Sequence, residues 1–256
     1  MKIFYLVLLI CIMFGNSILL GQEALRFGIF IRQTVIKVNP ENVLQWEDAV
    51  REIAAAARQA KSPHHDWLLY RTASNNYWLI QFGDSIQNLP TERSFHEGFN
   101  GLESNARYLE ALANLLATDF VLIRDCVYQQ DIVWSTVKEM STKTHPKAQV
   151  VDFIVKPGKE AAFDENQQKM VTLLQQIDYP FPVESFRPRF GAPRSNQVVV
   201  FPDTWENFYG INDLTLLASK AGKKTELEAI FSERNSLLLE KTVANLDFEK
   251  AMSYSP

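Results

Sequence analysis

The chain has little cysteine, little glycine and no excess of positive charge. Of its 256 residues, two are cysteine and ten are glycine, and the formal net charge at pH 7 is -4. A protein that binds nucleic acid needs a basic face to neutralise phosphates, and the sequence has no cluster of lysine or arginine interleaved with aromatic residues. We therefore expect no nucleic-acid partner.

The short motifs that mark many enzyme sites are also absent from the sequence. There is no glycine-rich phosphate loop, no Gly-x-Ser-x-Gly elbow, no His-Glu-x-x-His pair and no Cys-x-x-Cys pair. Acidic residues such as Glu160, Asp164 and Glu165 are spaced as on the solvated face of a helix. The sequence therefore predicts no metal site and no cofactor. It leaves catalytic residues unknown and does not decide whether the protein is an enzyme.

The amino terminus has the form of a secretory signal peptide. Lys2 precedes a nearly unbroken apolar run over residues 3–14, and small or polar residues follow it. We predict cleavage after Gly21, with cleavage after Ser17 as one alternative. A retained membrane anchor is the other, because the apolar stretch approaches the ~20 residues that span a bilayer. With residues 1–21 removed, we expect a periplasmic or extracellular protein without stable membrane insertion.

Removal of that segment leaves Cys126 as the one cysteine of the mature chain. An exported protein with a single cysteine cannot form an internal disulfide, so its stability has to come from its hydrophobic core. Cys126 lies in a stretch predicted to be helical, near Leu122 and Ile123. We expect a buried and unreactive thiol at this position.

One structural unit occurs twice in the sequence. The stretch Val155-Lys-Pro-Gly-Lys-Glu-Ala-Ala-Phe-Asp-Glu165 is echoed without a gap by Val38-Asn-Pro-Glu-Asn-Val-Leu-Gln-Trp-Glu47. In both, proline comes two residues after a valine, and an aromatic residue and an acid come six and seven residues after the proline. Proline in the first turn of a helix loses no hydrogen bond, so the pattern predicts a strand followed by a helix.

The apolar pattern around each corner predicts the same order of elements, β-α-β-β-α-β. In the first copy these are a strand at 27–38, a helix that buries Trp46, Val50, Ile53, Ala54 and Ala57, a hairpin of strands 67–73 and 77–82, helical sequence at 95–130 and a strand at 131–137. In the second they are a strand at 149–155, a helix that buries Phe163, Met170, Leu174 and Ile177, a hairpin of strands 183–190 and 197–201, helical sequence at 208–243 and extended sequence at 246–254.

This order is that of a ferredoxin-like unit, in which four antiparallel strands carry two helices on one face. Apolar residues on both sides of strands such as 77–82 indicate that the other sheet face is covered too, by the second copy. We predict an α+β fold with two tandem ferredoxin-like units, residues 25–141 and 148–254, packed sheet to sheet as a pseudo-dimeric barrel. Because the two units are covalently fused, the protein should be able to exist as a monomer.

The corner at 155–165 resembles the strand-to-helix corner of the dimeric α+β barrel superfamily, which includes the antibiotic biosynthesis monooxygenase-like proteins. The corner at 38–47 is a weaker version. The resemblance covers both copies, about residues 25 to 254, and implies a barrel with a cavity. That superfamily includes cofactor-free monooxygenases, haem-handling enzymes, isomerases and members without known activity, so the resemblance does not decide the chemistry.

The histidines are weak candidates for chemistry. His64 and His65 follow Pro63 in a predicted loop, and no third metal ligand is placed by spacing, so we expect a solvated loop. His96, with Trp78 on the preceding strand, is similar to the histidine and tryptophan of haem-degrading members of the superfamily, but the intervals do not match. We expect His96 to be a surface or capping residue.

Three arginines on the predicted hairpin strands, Arg71, Arg187 and Arg189, are the candidates for a ligand site. An unpaired guanidinium is costly against packed helices, so we expect these side chains to point to solvent or into the cavity between the sheets. With Tyr77 and Trp78 as apolar lining, they would hold an aromatic or aliphatic carboxylate through bidentate hydrogen bonds.

The sequence thus predicts an exported protein that binds a small apolar or carboxylate-bearing molecule between the two sheets. The alternative is a cofactor-independent monooxygenase-like or haem-handling enzyme of the same superfamily.

Overall fold

Each half of the chain opens with the predicted strand-to-helix corner. The computed structural model describes residues 27–61, 67–83, 85–89, 105–137, 145–191 and 195–254. Strand β1 (Phe27–Val38) ends at the valine, a short turn of 3-10 helix begins at Pro40, and helix α1 (Val43–Ala60) follows. Asn39 caps the turn, because its side chain accepts a hydrogen bond from the Glu41 amide at 3.3 Å.

The remaining elements follow in the predicted order. In the first half they are strands β2 (Trp67–Arg71) and β3 (Asn76–Gly83), helix α2 (Ala106–Leu116) and strand β4 (Phe120–Asp131). In the second half they are strand β5 (Lys147–Val155), helix α3 (Glu160–Gln176), strands β6 (Val183–Phe190) and β7 (Asn196–Val200), helices α4 (Trp205–Tyr209), α5 (Leu214–Lys220) and α6 (Lys224–Leu237), and strand β8 (Leu238–Phe248).

The eight strands close into one antiparallel barrel in the order β1-β3-β2-β8-β5-β7-β6-β4. Within it, β4-β1-β3-β2 and β8-β5-β7-β6 repeat the strand order of a ferredoxin-like unit. The units meet where β2 pairs with β8 and where β4 pairs with β6. The predicted fold class, two tandem ferredoxin-like units packed sheet to sheet, is confirmed.

Several predicted segments lie outside the described residues. They include the signal peptide at 1–21 with its alternative cleavage sites, and parts of the chain at both predicted limits of the first unit. The boundaries 25–141 and 148–254 therefore stay predictions. Among the helices that the structure describes, none is long and apolar enough to cross a membrane.

The prediction of helix up to residue 130 and a strand at 131–137 was wrong. Helix α2 ends at Leu116, residues 120–131 form β4, and residues 132–134 are a 3-10 turn. β4 is flanked by β1 and β6, so ladder hydrogen bonds on both sides outweigh the helical spacing of the preceding leucines. Cys126 consequently lies on a strand, although it is buried as predicted.

The prediction of helix up to residue 243 was also wrong. Helix α6 ends at Leu237, and β8 begins at the next residue. The first residues of β8 are good helix formers, but the strand pairs with β5 from Asp247 opposite Lys147 to Leu238 opposite Val155. Sheet pairing therefore overrides local propensity here, as it does in β4. The last extended piece, predicted at 246–254, is cut short by a 3-10 turn at 250–252.

The helix-facing layers hold the two aromatic residues of the repeated corner. Trp46 is fully buried, with its ring centroid 4.3 Å from that of Tyr77. Phe163 is fully buried against Phe153 and Trp134, at centroid distances of 5.6 and 5.8 Å. Each corner therefore anchors its first helix to its own sheet.

The space between the two sheets is packed with side chains from both units. This inner layer includes Ile31, Tyr70, Trp78, Tyr128, Phe186 and Phe201. The cavity left among them is about 30 Å³, room for roughly one water molecule. The sequence predicts a ligand cavity between the sheets, whereas the middle of the barrel is filled.

Candidate ligand-binding site

Arg71 and Arg187 occupy matching positions in the two units, and each binds an acid of the repeated corner. Arg71 Nη1 donates to Glu47 Oε1 at 2.9 Å, and Arg187 Nη2 donates to Asp164 Oδ2 at 2.8 Å. Both contacts are made to the first helix of the arginine's own unit, on the outer face of the barrel. The guanidinium groups therefore lie against helices, where their paired state makes burial tolerable.

Each of these arginines also binds an acid of the other unit. Arg71 Nε lies 3.1 Å from Glu249 Oε1, and Arg187 Nε donates to Asp131 Oδ2 at 2.6 Å. The guanidinium carbon of Arg187 also lies 3.6 Å from the ring centroid of Trp134, a cation–π contact. We call these two arrangements the Arg71 clasp and the Arg187 clasp, because each joins the two units across a seam of the barrel.

The other three predicted ligand residues are distributed over different surfaces. Arg189 is exposed and donates from Nε to Gln129 Oε1 at 2.9 Å. Tyr77 faces α1, where its hydroxyl donates to Glu47 Oε1 at 2.7 Å. Trp78 faces the inside of the barrel. The structure does not bring the five predicted residues into one cavity, and a ligand role for them stays a prediction.

A hollow of about 500 Å³ opens at one end of the barrel, with Trp78 in its wall. The guanidinium carbon of Arg124 lies 5.2 Å from the centroid of that indole ring. Arg124 Nη1 also pairs with Oδ2 of Asp152, a residue of the other unit, at 2.9 Å. Its Nη2 donates to Gln33 Oε1, and Gln197 Nε2 donates to Asp152 Oδ1 at 3.1 Å. The two charges in this hollow thus neutralise each other.

A second cavity, of about 310 Å³, lies between the sheet and the helices of the second unit. We call it the helix pocket. Its wall is mostly apolar and includes Val151, Val183, Val198 and Val200 from the strands, and Met170, Leu174 and Phe231 from the helices. Pockets that take small ligands measure about 300 to 1,000 Å³ and are lined in the same way.

Helix α4 closes one side of the helix pocket. The Tyr209 hydroxyl accepts hydrogen bonds from Gln149 Nε2 at 3.0 Å and from Asn245 Nδ2 at 2.9 Å. These bonds fasten the end of α4 to β5 and β8. The Tyr209 ring also packs edge-on against Phe208, at a centroid distance of 4.8 Å. The pocket is thereby bounded by sheet, α3, α6 and this short aromatic helix.

Two buried polar side chains interrupt the apolar wall. Arg234 Nε donates to Asn166 Oδ1 at 2.9 Å, but its buried Nη2 has no hydrogen-bond partner. Gln167 Nε2 donates to Ser185 Oγ at 3.4 Å, and its buried Oε1 has no partner. Burial lowers the pKa of Arg234 to about 10, with the nearby Glu233 charge opposing the shift, so the side chain stays charged at neutral pH.

Comparison with known proteins identifies the fold. No protein-family model and no curated protein matches the chain. A Fusobacterium nucleatum protein with a proposed monooxygenase activity matches with a TM-score of 0.54, 10% identity, and coverage of 87% of this chain and 93% of its own. A protein proposed to be a chlorite dismutase matches with a TM-score of 0.53 and 10% identity, over 88% of this chain and 96% of its own. The chlorite dismutase of Candidatus Nitrospira defluvii in complex with imidazole matches with a TM-score of 0.52 and 6% identity, over 88% of this chain and 92% of its own.

The chain has the dimeric α+β barrel fold. This confirms the resemblance on which the sequence prediction rests. At 6 to 10% identity the likeness shows the fold alone and carries no residue roles to this chain. Chemistry in this dimeric α+β barrel has to be argued from its own side chains.

The described wall of the helix pocket does not fit a haem iron. Iron in haem proteins is held by histidine, by cysteine, by methionine together with histidine, or by tyrosine. The described pocket wall has no histidine or cysteine, so Met170 would lack a histidine partner. The Tyr209 hydroxyl already accepts two hydrogen bonds, and burial raises the pKa of Tyr179, which disfavours the ionised form that holds iron. His145, whose ring lies 5.5 Å from that of Phe201, is not in the wall, and His64, His65 and His96 lie outside the described residues. In the described part of the chain, no group of three or more histidines, cysteines or acids could hold a metal ion.

Arg234 and Gln167 were not predicted as site residues, although the sequence contains a signal for each. In α6 the buried residues are Leu227, Ile230, Arg234 and Leu237, so a charged residue occupies a position on the apolar stripe. In α3, Gln167 follows the buried Phe163 by four residues and precedes Met170 by three. A charged or amide side chain on the buried stripe of a helix is the pattern to look for.

Cys126 should be unreactive in the folded protein. Its side chain lies in the inner layer of this dimeric α+β barrel, and burial raises the pKa of the thiol above its ordinary value. Because the thiolate is the reactive form, we expect iodoacetamide at pH 8 to modify Cys126 slowly in buffer and quickly in denaturant. Mass spectrometry over time measures both rates. Equal rates in the two solutions would contradict the burial of this thiol.

Proposed function

We propose that this protein binds a small apolar molecule in the helix pocket of its second unit. The observation that carries the proposal is the apolar cavity of about 310 Å³ that the side chains leave between sheet and helices. Protein interiors are close-packed, and apolar side chains that line an open pocket of this size remain partly exposed to water at a cost in stability. A ligand that fills it would restore the missing contacts.

The comparison of the two units supports this location. The corners align without a gap, so Asn166 and Gln167 of α3 correspond to Ala49 and Val50 of α1. All four side chains are buried. The first unit therefore builds its fold with apolar side chains at these positions, and the fold itself does not require the amides. Asn166 is satisfied by bonds within the second unit, whereas Gln167 Oε1 and Arg234 Nη2 are buried without a partner, which supports a ligand at this place.

The alternative, a cofactor-independent monooxygenase, would use the same pocket. The one carboxylate in the described pocket wall is Asp213, which caps α5 by accepting a hydrogen bond from the Leu216 amide at 3.0 Å. General acid–base catalysis needs a group free to exchange a proton with the substrate. The described wall therefore favours binding over this chemistry.

Export and assembly remain proposals. Export to the periplasm or the medium depends on residues 1–21, which lie outside the described part of the chain. The barrel closes within a single chain, which supports the prediction that the protein is able to exist as a monomer.

Filling the helix pocket should abolish binding. We expect octan-1-ol, octanoate or indole to raise the melting temperature of the purified protein, because a ligand that binds only the folded state stabilises it by mass action. Val198 lies in the pocket wall, so Val198→Phe should remove this stabilisation. Differential scanning fluorimetry over a range of probe concentrations measures the effect.

Val121→Phe is the matched control, because the same change is made on a side chain that is 61% exposed on β4. The control should respond to the probes as the wild type does. The proposal would be refuted if no probe stabilised the wild type, or if Val198→Phe and wild type were stabilised equally.

A further inference from the structure

We infer that the ligand of the helix pocket is an apolar carboxylic acid whose carboxylate binds Arg234. The inference rests on the proposed function and names its ligand class. It starts from a buried guanidinium in an apolar wall. Arg234 is 6% exposed and lines the pocket together with Phe153, whose ring centroid lies 5.4 Å from the guanidinium carbon.

In the described chain, the hydrogen-bond partner of the Arg234 guanidinium is a neutral amide oxygen. Asn166 Nδ2 donates to the Ile230 carbonyl and to Glu233 Oε2, each at 3.0 Å. The Asn166 amide oxygen therefore has to face Arg234 Nε, which donates to it at 2.9 Å. A neutral amide oxygen satisfies one donor of the guanidinium, and the charge of Glu233 acts on it only from beyond ion-pair distance.

The nearest acid along α6 is already used elsewhere. Glu233 accepts two bonds from Lys169 Nζ, at 3.1 and 2.9 Å, on the solvent side of the helices. No carboxylate of the described residues lies within ion-pair distance of Arg234. Buried charges in proteins are normally paired, because an uncompensated one is costly. Arg234 thus has the environment of a residue whose partner arrives with the ligand.

A carboxylate is the anion that fits this arrangement. It accepts from two nitrogens of a guanidinium at once, which uses the planar shape of arginine. Nη2 of Arg234 is buried and unpaired, and it lies on a side chain of the pocket wall. The rest of the wall is mainly aliphatic and aromatic, so the remainder of the ligand should be hydrocarbon. The acid end of the ligand is thus assigned to Arg234. Its apolar end is assigned to the aliphatic wall formed by Leu174 and by Val151, Val183, Val198 and Val200.

The test compares two probes that differ at one end, octanoate and octan-1-ol, by isothermal titration calorimetry. Hydrogen bonds to charged groups are the strong ones, so the wild type should bind octanoate at least about tenfold more tightly than octan-1-ol. Arg234→Met keeps a buried apolar chain of similar length and should bind the two probes equally. Arg234→Lys keeps the charge without the fork and should show an intermediate preference.

Arg107→Met is the control for general electrostatic attraction, because Arg107 is an exposed arginine of the first unit that pairs with Glu52. This variant should keep the full preference for octanoate. Equal binding of both probes by the wild type, or an unchanged preference in Arg234→Met, would overturn the inference and leave the proposed function standing. Failure of octanoate, octan-1-ol and indole alike to bind the wild type would overturn the proposed function as well.

Discussion

Trp46→Ala and Phe163→Ala should each lower the free energy of unfolding by about 3 to 5 kcal/mol, as truncations of core aromatic residues do. Both side chains are fully buried, and they occupy the same position of the repeated corner. Trp46 packs on Tyr77, and Phe163 packs between Phe153 and Trp134. Each truncation leaves a cavity at the point where a first helix meets its sheet.

Urea unfolding followed by circular dichroism measures both losses. Leu44→Ala is the control, because Leu44 lies on the same helix as Trp46 and is 76% exposed. It should change stability by less than about 0.5 kcal/mol. If either aromatic truncation had an effect as small as the control's, the two corners would not be structurally equivalent.

The equivalence of the corners is the part of the fold that the sequence shows best. A proline, an aromatic residue and an acid at fixed spacing predict a strand, a turn and a buried helix face from local rules. The hairpins are predicted equally well, since Asn75 adopts the left-handed backbone, φ 58°, that the Ser74-Asn-Asn76 turn requires. These elements are determined by residues close to one another in the chain.

The fourth strand of each unit was harder to predict because its structure depends on distant partners. β4 and β8 both follow a helix closely, and both contain residues that are compatible with a helix. Each becomes a strand because it pairs with the first strand of its own unit and with the second strand of the other. Local sequence does not contain that information.

The candidate ligand site also combines features that local sequence predicts with features that depend on distant partners. Arg71 and Arg187 were predicted to point to solvent or into the cavity between the sheets, and this was wrong. Both lie against helices, where pairing with Glu47 and Asp164 lowers the cost of burying a guanidinium. Those acids are part of the repeated motif, yet motif spacing alone does not show which strand residue they contact. Arg234 is the opposite case. Its place on an apolar stripe is visible in the sequence, and its lack of an acidic partner emerges only when the fold is known.

The two clasps should differ in their contribution to stability. Arg187→Ala should lower the free energy of unfolding by about 3 to 5 kcal/mol, the cost of removing one partner from a buried ion pair. The Asp131 side chain is 0% exposed and that of Arg187 is 20% exposed, so the pair is shielded from water. The substitution also removes the stacking of the guanidinium on Trp134.

Arg71→Ala should cost about 1 kcal/mol or less, the range of exposed ion pairs. The Arg71 side chain is 40% exposed. Glu47 would keep two partners after its loss, because Arg51 Nη2 and the Tyr77 hydroxyl lie 2.6 and 2.7 Å from its carboxylate. The same substitution at matching positions therefore has different expected costs, and the difference comes from burial.

Urea unfolding of both variants at low and high salt tests this contrast. Salt should weaken the effect of Arg71→Ala more than that of Arg187→Ala, because screening acts mainly on exposed charges. Arg187→Lys should recover part of the loss, because lysine keeps the charge. The recovery should be incomplete, because lysine lacks the second nitrogen that reaches Asp164. Equal costs for the two alanine variants would show that the seam between β4 and β6 depends no more on its arginine than the seam between β2 and β8 does.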